Sequence, residues 1–231
     1  RPPITLVVAG VVLAGLLGGL TLGAIGPSGS LSPPRFVEEA AAAGIDQRYE
    51  GDFPFFVGGG VAVFDCDADG RPDLYIAGGA ASAALYRNVS QPGGPLRFER
   101  LSDPVTDLDA VTGAYPLDIE GDGRQDLVVL RRGENALLRA LGGCRFERAN
   151  ERWGFDGGSA WTTAFSATFE AGASWPTLAF GNYLVDTDPR HGCAPGALVR
   201  PNERGDGFGP SVGLAPSWCT LSVLFSDWDR S

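Results

Sequence analysis

The chain opens on an unbroken apolar run and then changes character. Residues 4–26, ITLVVAGVVLAGLLGGLTLGAIG, carry no charge. A helical membrane span needs ~20 such residues, whereas the core of a signal peptide usually takes ~7–15. Residues 1–34 are therefore read as an N-terminal hydrophobic helix, either signal peptide or membrane anchor, followed by the linker GPSGSLSPPR. Beyond the linker the apolar residues come in short runs bounded by Gly, Pro, Asp and Asn, the signature of strands joined by tight turns. In the first such stretch the runs are Val61–Phe64, Leu74–Ala77, Ala84–Arg87 and Arg97–Leu101. One further helix is expected over Phe36–Ala43, ended by Gly44.

The runs repeat. GVAVFDCDADGRPDLYIA (60–77) aligns with GAYPLDIEGDGRQDLVVL (113–130). A weaker copy follows at TAFSATFE…PTLAFG (163–181), and a fourth starts at SVLFSDWDRS (222–231). The alignment equates Asp65, Asp118, Thr168 and Asp227. Leu85-Tyr86-Arg87-Asn88, Leu137-Leu138-Arg139 and Leu198-Val199-Arg200 recur in the same phase, as do Arg97–Arg100 and Arg145–Arg148. Four short strands in about 50 residues is the sequence form of a β-propeller blade. The fold expected is all-β, a partial β-propeller of four-stranded blades over residues 35–231. Its repeats fall at 58–111, 112–160, 161–219 and 220–231, three blades and the start of a fourth.

Between the first two runs of the leading repeats lie acidic loops. Asp65, Asp67, Asp69 and Asp73 stand at positions 1, 3, 5 and 9 of the first, with Gly70 at 6. Asp118, Glu120, Asp122 and Asp126 stand at the same positions of the second, with Gly123 at 6. Carboxylates this close repel one another unless a cation lies among them. Ca²⁺ takes six to eight oxygens in flexible geometry, and the position-7 carbonyls of Arg71 and Arg124 add one ligand each. Both loops are expected to hold Ca²⁺. An EF-hand needs a Glu at position 12 and flanking helices; position 12 here is Ile76 or Val129, and the flanks read as strands. The third copy keeps only Thr168, Glu170 and Gly172, so no metal is expected there. The fourth offers Asp227 and Asp229, part of a further site.

These residues resemble the FG-GAP/VCBS repeat of integrin-α-like β-propellers. More closely, FVEEAAAAGI leading into GGGVAVFDCDADGRPDLYIAGG, with LYRN, TGAYPLDIEGDG, CRFERAN and FSDWDRS, is similar to the cartilage acidic protein family of ASPIC/UnbV proteins. The resemblance covers residues ~36–231 and implies a propeller, usually of seven blades, with Ca²⁺ in its inter-strand loops, located outside the cytoplasm. This chain then reads as an N-terminal fragment of such a protein.

Composition narrows the function. The net charge is −10 and every basic residue is Arg. That balance argues against nucleic acid as a partner, which demands a basic face. The single histidine, His191, removes most Ser/His/Asp, Cys/His and zinc-site schemes. The four cysteines, in a chain expected to be exported, favour disulfides. In a four-stranded blade, alternate inter-strand loops share a face. That parity permits Cys66–Cys144 and Cys193–Cys219 and disfavours the other pairings; four buried thiols are the alternative. Arg204-Gly205-Asp206 reads as the last hairpin turn of the third repeat, Asn88-Val89-Ser90 as a glycosylation sequon, and the tryptophans as blade packing.

The function expected is an extracytoplasmic, non-catalytic calcium-binding module for a protein or carbohydrate ligand, with membrane anchoring through residues 4–26 where that segment is retained. The alternative is the accessory propeller of an extracytoplasmic enzyme.

Overall fold

The computed structural model of the chain describes residues 33–185 and 189–227. The signal or anchor expected at 4–26 lies outside them. Among the described residues no helix is long and apolar enough to cross a membrane.

Residues 33–38 have no regular structure, with Phe36 and Val37 exposed. The helix expected over Phe36–Ala43 contracts to one turn, α1 (Ala40–Ala43), closed by Gly44 in the left-handed conformation. Four residues give one turn, and exposed Phe36 and Val37 contribute no burial to extend it.

From Glu39 onward the chain is one unit built of three four-stranded antiparallel sheets, each laid down in chain order. Sheet I holds β1 (Val61–Phe64), β2 (Asp73–Ile76), β3 (Ala84–Asn88) and β4 (Phe98–Leu101). Sheet II holds β5 (Val111–Leu117), β6 (Asp126–Arg131), β7 (Ala136–Gly142) and β8 (Arg145–Arg148). Sheet III holds β9 (Thr162–Thr168), β10 (Thr177–Asn182), β11 (Gly196–Val199) and β12 (Val212–Leu214). Among the described residues almost nothing else is regular, and the fold is all-β.

The sheets stack face to face, with sheet II in the middle. Successive side chains of a strand point to opposite faces. On β6, Leu127 and Val129 accordingly pack against sheet I with Phe64, Tyr75 and Leu85, while Val128 and Leu130 pack against sheet III with Leu178 and Phe180. This explains why DLVVLR is apolar without alternation: both its faces are covered. Strand β1 has one covered face, so Ala62 and Phe64 are buried while Val61 and Val63 are about half exposed.

The first strands of the sheets lie side by side, β1 against β5 and β5 against β9. They are tied at equivalent repeat positions. Gly59 N–H donates to the Thr112 carbonyl (3.1 Å), and the Thr112 hydroxyl donates to the Thr162 carbonyl (2.6 Å). Farther on, the Thr163 hydroxyl donates to the Thr220 carbonyl (2.6 Å). The fourth repeat, described through Asp227, forms no strand there, although Phe225 N–H reaches Ser166 Oγ.

Two disulfides form, Cys66–Cys144 and Cys193–Cys219. The first joins the β1–β2 loop to the β7–β8 turn, so it cross-links sheet I to sheet II. The tryptophans at 153, 161 and 175 are buried, as expected, whereas Trp218 is exposed. Asn88 of the sequon is buried; its amide donates to the Pro72 carbonyl and its Oδ1 accepts from Ser90 N–H. That side chain is structural.

Candidate metal centre

The two acidic loops connect β1 to β2 and β5 to β6. The hydrogen bonds from backbone N–H groups to their position-1, position-5 and position-9 carboxylates are the same. The position-1 carboxylate caps the turn: Asp65 accepts from the N–H groups of Asp69 (3.1 Å) and Gly70 (2.8 Å), and Asp118 from those of Asp122 (3.0 Å) and Gly123 (2.9 Å). The position-5 carboxylate accepts from the N–H of position 7, Asp69 from Arg71 and Asp122 from Arg124, each at 2.9 Å. Each of these arginines also folds its guanidinium onto that same carboxylate. Arg71 Nε continues to the Asn88 carbonyl (3.0 Å), which braces the loop against β3.

Position 9 is the fully buried member. Asp73 accepts from Cys66 N–H (2.8 Å) and Asn88 N–H (2.7 Å); Asp126 accepts from Ile119 N–H (3.0 Å) and Ala140 N–H (2.8 Å). Each thus staples the loop to the third strand of its sheet. Burial raises the Asp73 carboxyl above the ordinary carboxylate range, against the pull of its two N–H donors. Burial pushes Asp126 up to about 6, with Glu120 and Asp122 adding to the rise. In both, burial is the larger cause and the neighbouring carboxylates the smaller.

Such turns require the left-handed region at two points. Gly70 and Gly123 hold φ of 83° at position 6, as the Asp-Gly spacing predicts. Position 4 is left-handed as well, at 61° for Ala68 and 71° for Gly121. Ala68 conceals that requirement in the sequence, because alanine does not signal a left-handed residue.

Position 3 separates the loops. In loop I, oxygens of Asp65, Asp67 and Asp73 lie within 4.8 Å of one another. Ca²⁺, at ~2.3–2.6 Å from its ligands, spans such a set. Asp67 Oδ1 is shut off from solvent with no hydrogen-bond partner. A buried polar atom left unpaired is rare and calls for an ion or water. The residues of loop I therefore fit a divalent cation. In loop II, Glu120 turns to Arg139, whose Nε donates to its carboxylate. Arg139 also lies 3.8 Å from Asp122 and 3.5 Å from Glu147. Among the described residues no convergent carboxylate set occurs in loop II. Cys66, Asp73 and Cys144 also cluster, but the two sulfurs are consumed by the disulfide.

The third loop differs in register. Thr168 pairs with Thr177, as Phe64 pairs with Asp73 and Leu117 with Asp126. Thr168 therefore corresponds to Phe64, one residue before the place the sequence alignment assigned it. Its position 9 is the neutral Thr177, whose hydroxyl donates to Glu170 (2.7 Å). Of the fourth loop, Asp227 is exposed and Asp229 lies outside the described residues.

Repeats, in-phase carboxylates and stacked four-stranded sheets converge on one comparison. Residues 65–129 match the FG-GAP-like repeat family. The matched segment begins at the first residue of loop I and contains both acidic loops. No curated protein matches the chain.

Proposed function

We propose that this chain is an exported, calcium-stabilised β-propeller module that binds a protein or carbohydrate partner and has no catalytic role. The observation that carries this reading is loop I, where three carboxylates converge and one buried oxygen has no partner. The repeat match supports the integrin-like architecture, with sheets I–III as consecutive blades. Two disulfides fit an oxidising compartment. The similarity of FVEEAAAAGI and FSDWDRS to ASPIC/UnbV proteins is the finer family assignment within this reading.

The metal has a structural role. It neutralises the carboxylates of a loop that is pinned at one end by Asp73 and at the other by the Cys66–Cys144 bridge. Ca²⁺ bound only to the folded state raises stability by mass action, about 2.7 kcal/mol at one hundred times Kd. Extracellular modules bind it at ~10⁻⁴–10⁻³ M. Thermal melts in millimolar Ca²⁺ and in chelator test this. The wild type is expected to melt higher in Ca²⁺, and Asp65→Asn with Asp69→Asn to lose that increment. Identical melting temperatures with and without Ca²⁺ would overturn the reading.

A further inference from the structure

An arginine recurs at one register position, in the third strand of sheets I and II as Arg87 and Arg139 and directly after that of sheet III as Arg200. Each follows the residue paired across the ladder with the first leucine of the second strand, Tyr86 with Leu74, Leu138 with Leu127 and Val199 with Leu178. Arg139 and Arg200 turn the same donor, Nε, to a glutamate in the loop of their own sheet. In sheet II, Arg139 Nε donates to Glu120 Oε1. In sheet III, Arg200 Nε donates to Glu170 Oε1 at 2.9 Å. In sheet I the contact is missing from both sides. Arg87 Nε and Asp67 Oδ1 are each buried without a hydrogen-bond partner, and Arg87 pairs through its terminal nitrogen with Glu99 (2.6 Å). Aspartate is one methylene shorter than glutamate, so the two loops differ in the reach of their position-3 carboxylate.

We propose that the second acidic loop binds no divalent cation, because the Arg139 guanidinium is its built-in cation, and that aspartate or glutamate at position 3 selects between metal and arginine. In loop I Arg71 bonds to one of the four carboxylates, while Arg87 pairs with Glu99 instead of the loop. Loop II sets four against Arg124 and Arg139, so a divalent ion there would have to displace a guanidinium already bonded to Glu120 and close to Asp122. A charge-assisted bond of this kind is among the stronger polar contacts a protein makes. Sheet III offers a related case, although by strand register Glu170 falls at position 2 of its loop rather than position 3. Its loop has lost the acidic position 9, to Thr177, yet keeps the glutamate–arginine bond. That bond is a way of closing a loop without metal.

This inference rests on the calcium reading of loop I, and reciprocal single substitutions separate the two. The whole chain and its Asp67→Glu and Glu120→Asp variants would be titrated with Ca²⁺ by calorimetry. Asp67→Glu, able to reach Arg87, is expected to lose one site or weaken it at least tenfold. Glu120→Asp, unable to reach Arg139, is expected to gain one site. Arg139→Gln is a second route to the same gain, should Glu120→Asp fold poorly. An unchanged number of sites in both loop II variants overturns the inference, whatever loop I does. A wild type and an Asp67→Glu variant that bind Ca²⁺ equally overturn the reading of loop I instead, and the gain or its absence in loop II still decides this one.

Discussion

Loops I and II share a backbone hydrogen-bond network down to the pairs at positions 1, 5 and 9, and of the four positions where their residues differ, 2, 3, 4 and 8, the first two change the loop's partners across the fold. At position 2, loop I has Cys66, bonded covalently to sheet II, and loop II has Ile119, buried against sheet III. At position 3, Asp67 leaves an oxygen unpaired where Glu120 meets Arg139. The comparison teaches that the turn and its charge are separate problems. The Asp and Gly spacing builds the same turn twice. Position 2 then chooses how the loop is fastened to the next sheet, and position 3 chooses which cation balances it.

The largest effects should come from position 2. Cys66–Cys144 closes 78 residues, and in a chain-entropy account its removal by Cys66→Ala with Cys144→Ala costs about 4 kcal/mol. Ile119→Ala leaves a cavity between sheets II and III and costs about 2–5 kcal/mol. Urea denaturation measures both. The comparison breaks if either loop tolerates its change within 1 kcal/mol, for then position 2 does not fasten it.

Position 9 should act alike in both loops. Without metal, Asp73→Ala and Asp126→Ala each strand two N–H donors and should cost about 2–4 kcal/mol. Titration sharpens the point. The Asp126 carboxyl is raised in the folded state to about 6, first by burial and then by Glu120 and Asp122. A carboxyl that holds its proton more tightly when folded adds stability below its unfolded pKa near 4 and loses it as pH rises through about 6. Metal-free protein should therefore lose stability more steeply between pH 4 and 6 in the wild type than in Asp126→Asn. Urea midpoints across that range would show it, and parallel curves would contradict it.

Much of this was legible in the residues. Val61–Phe64 is a strand with the bounds its pattern predicts, and the parity of a four-stranded unit selected both disulfides. The position-1 and position-6 roles follow from the preference of Asp for turn caps and of Gly for positive φ. What escaped were contacts decided by length and by distance along the chain. Arg87, Arg139 and Arg200 recur visibly, but their meeting with the loops spans 19 residues from Glu120 to Arg139 and 30 from Glu170 to Arg200. Only the strand register brings them opposite. The helix starts at Ala40 rather than Phe36, and the exposure of Phe36 and Val37 is not a property any local pattern reveals. The third loop slipped by one residue because Thr168 and Thr177 carry no charge to mark the register.

The central claim is that loop I holds Ca²⁺ and that loop II carries its own cation. Crystals soaked in Ca²⁺ and measured for its anomalous signal test it most directly. The account predicts a peak ~2.3–2.6 Å from the oxygens of Asp65, Asp67 and Asp73, with Arg139 still bonded to Glu120. Density without an ion in loop I, or an ion in loop II with Arg139 turned away, would contradict it.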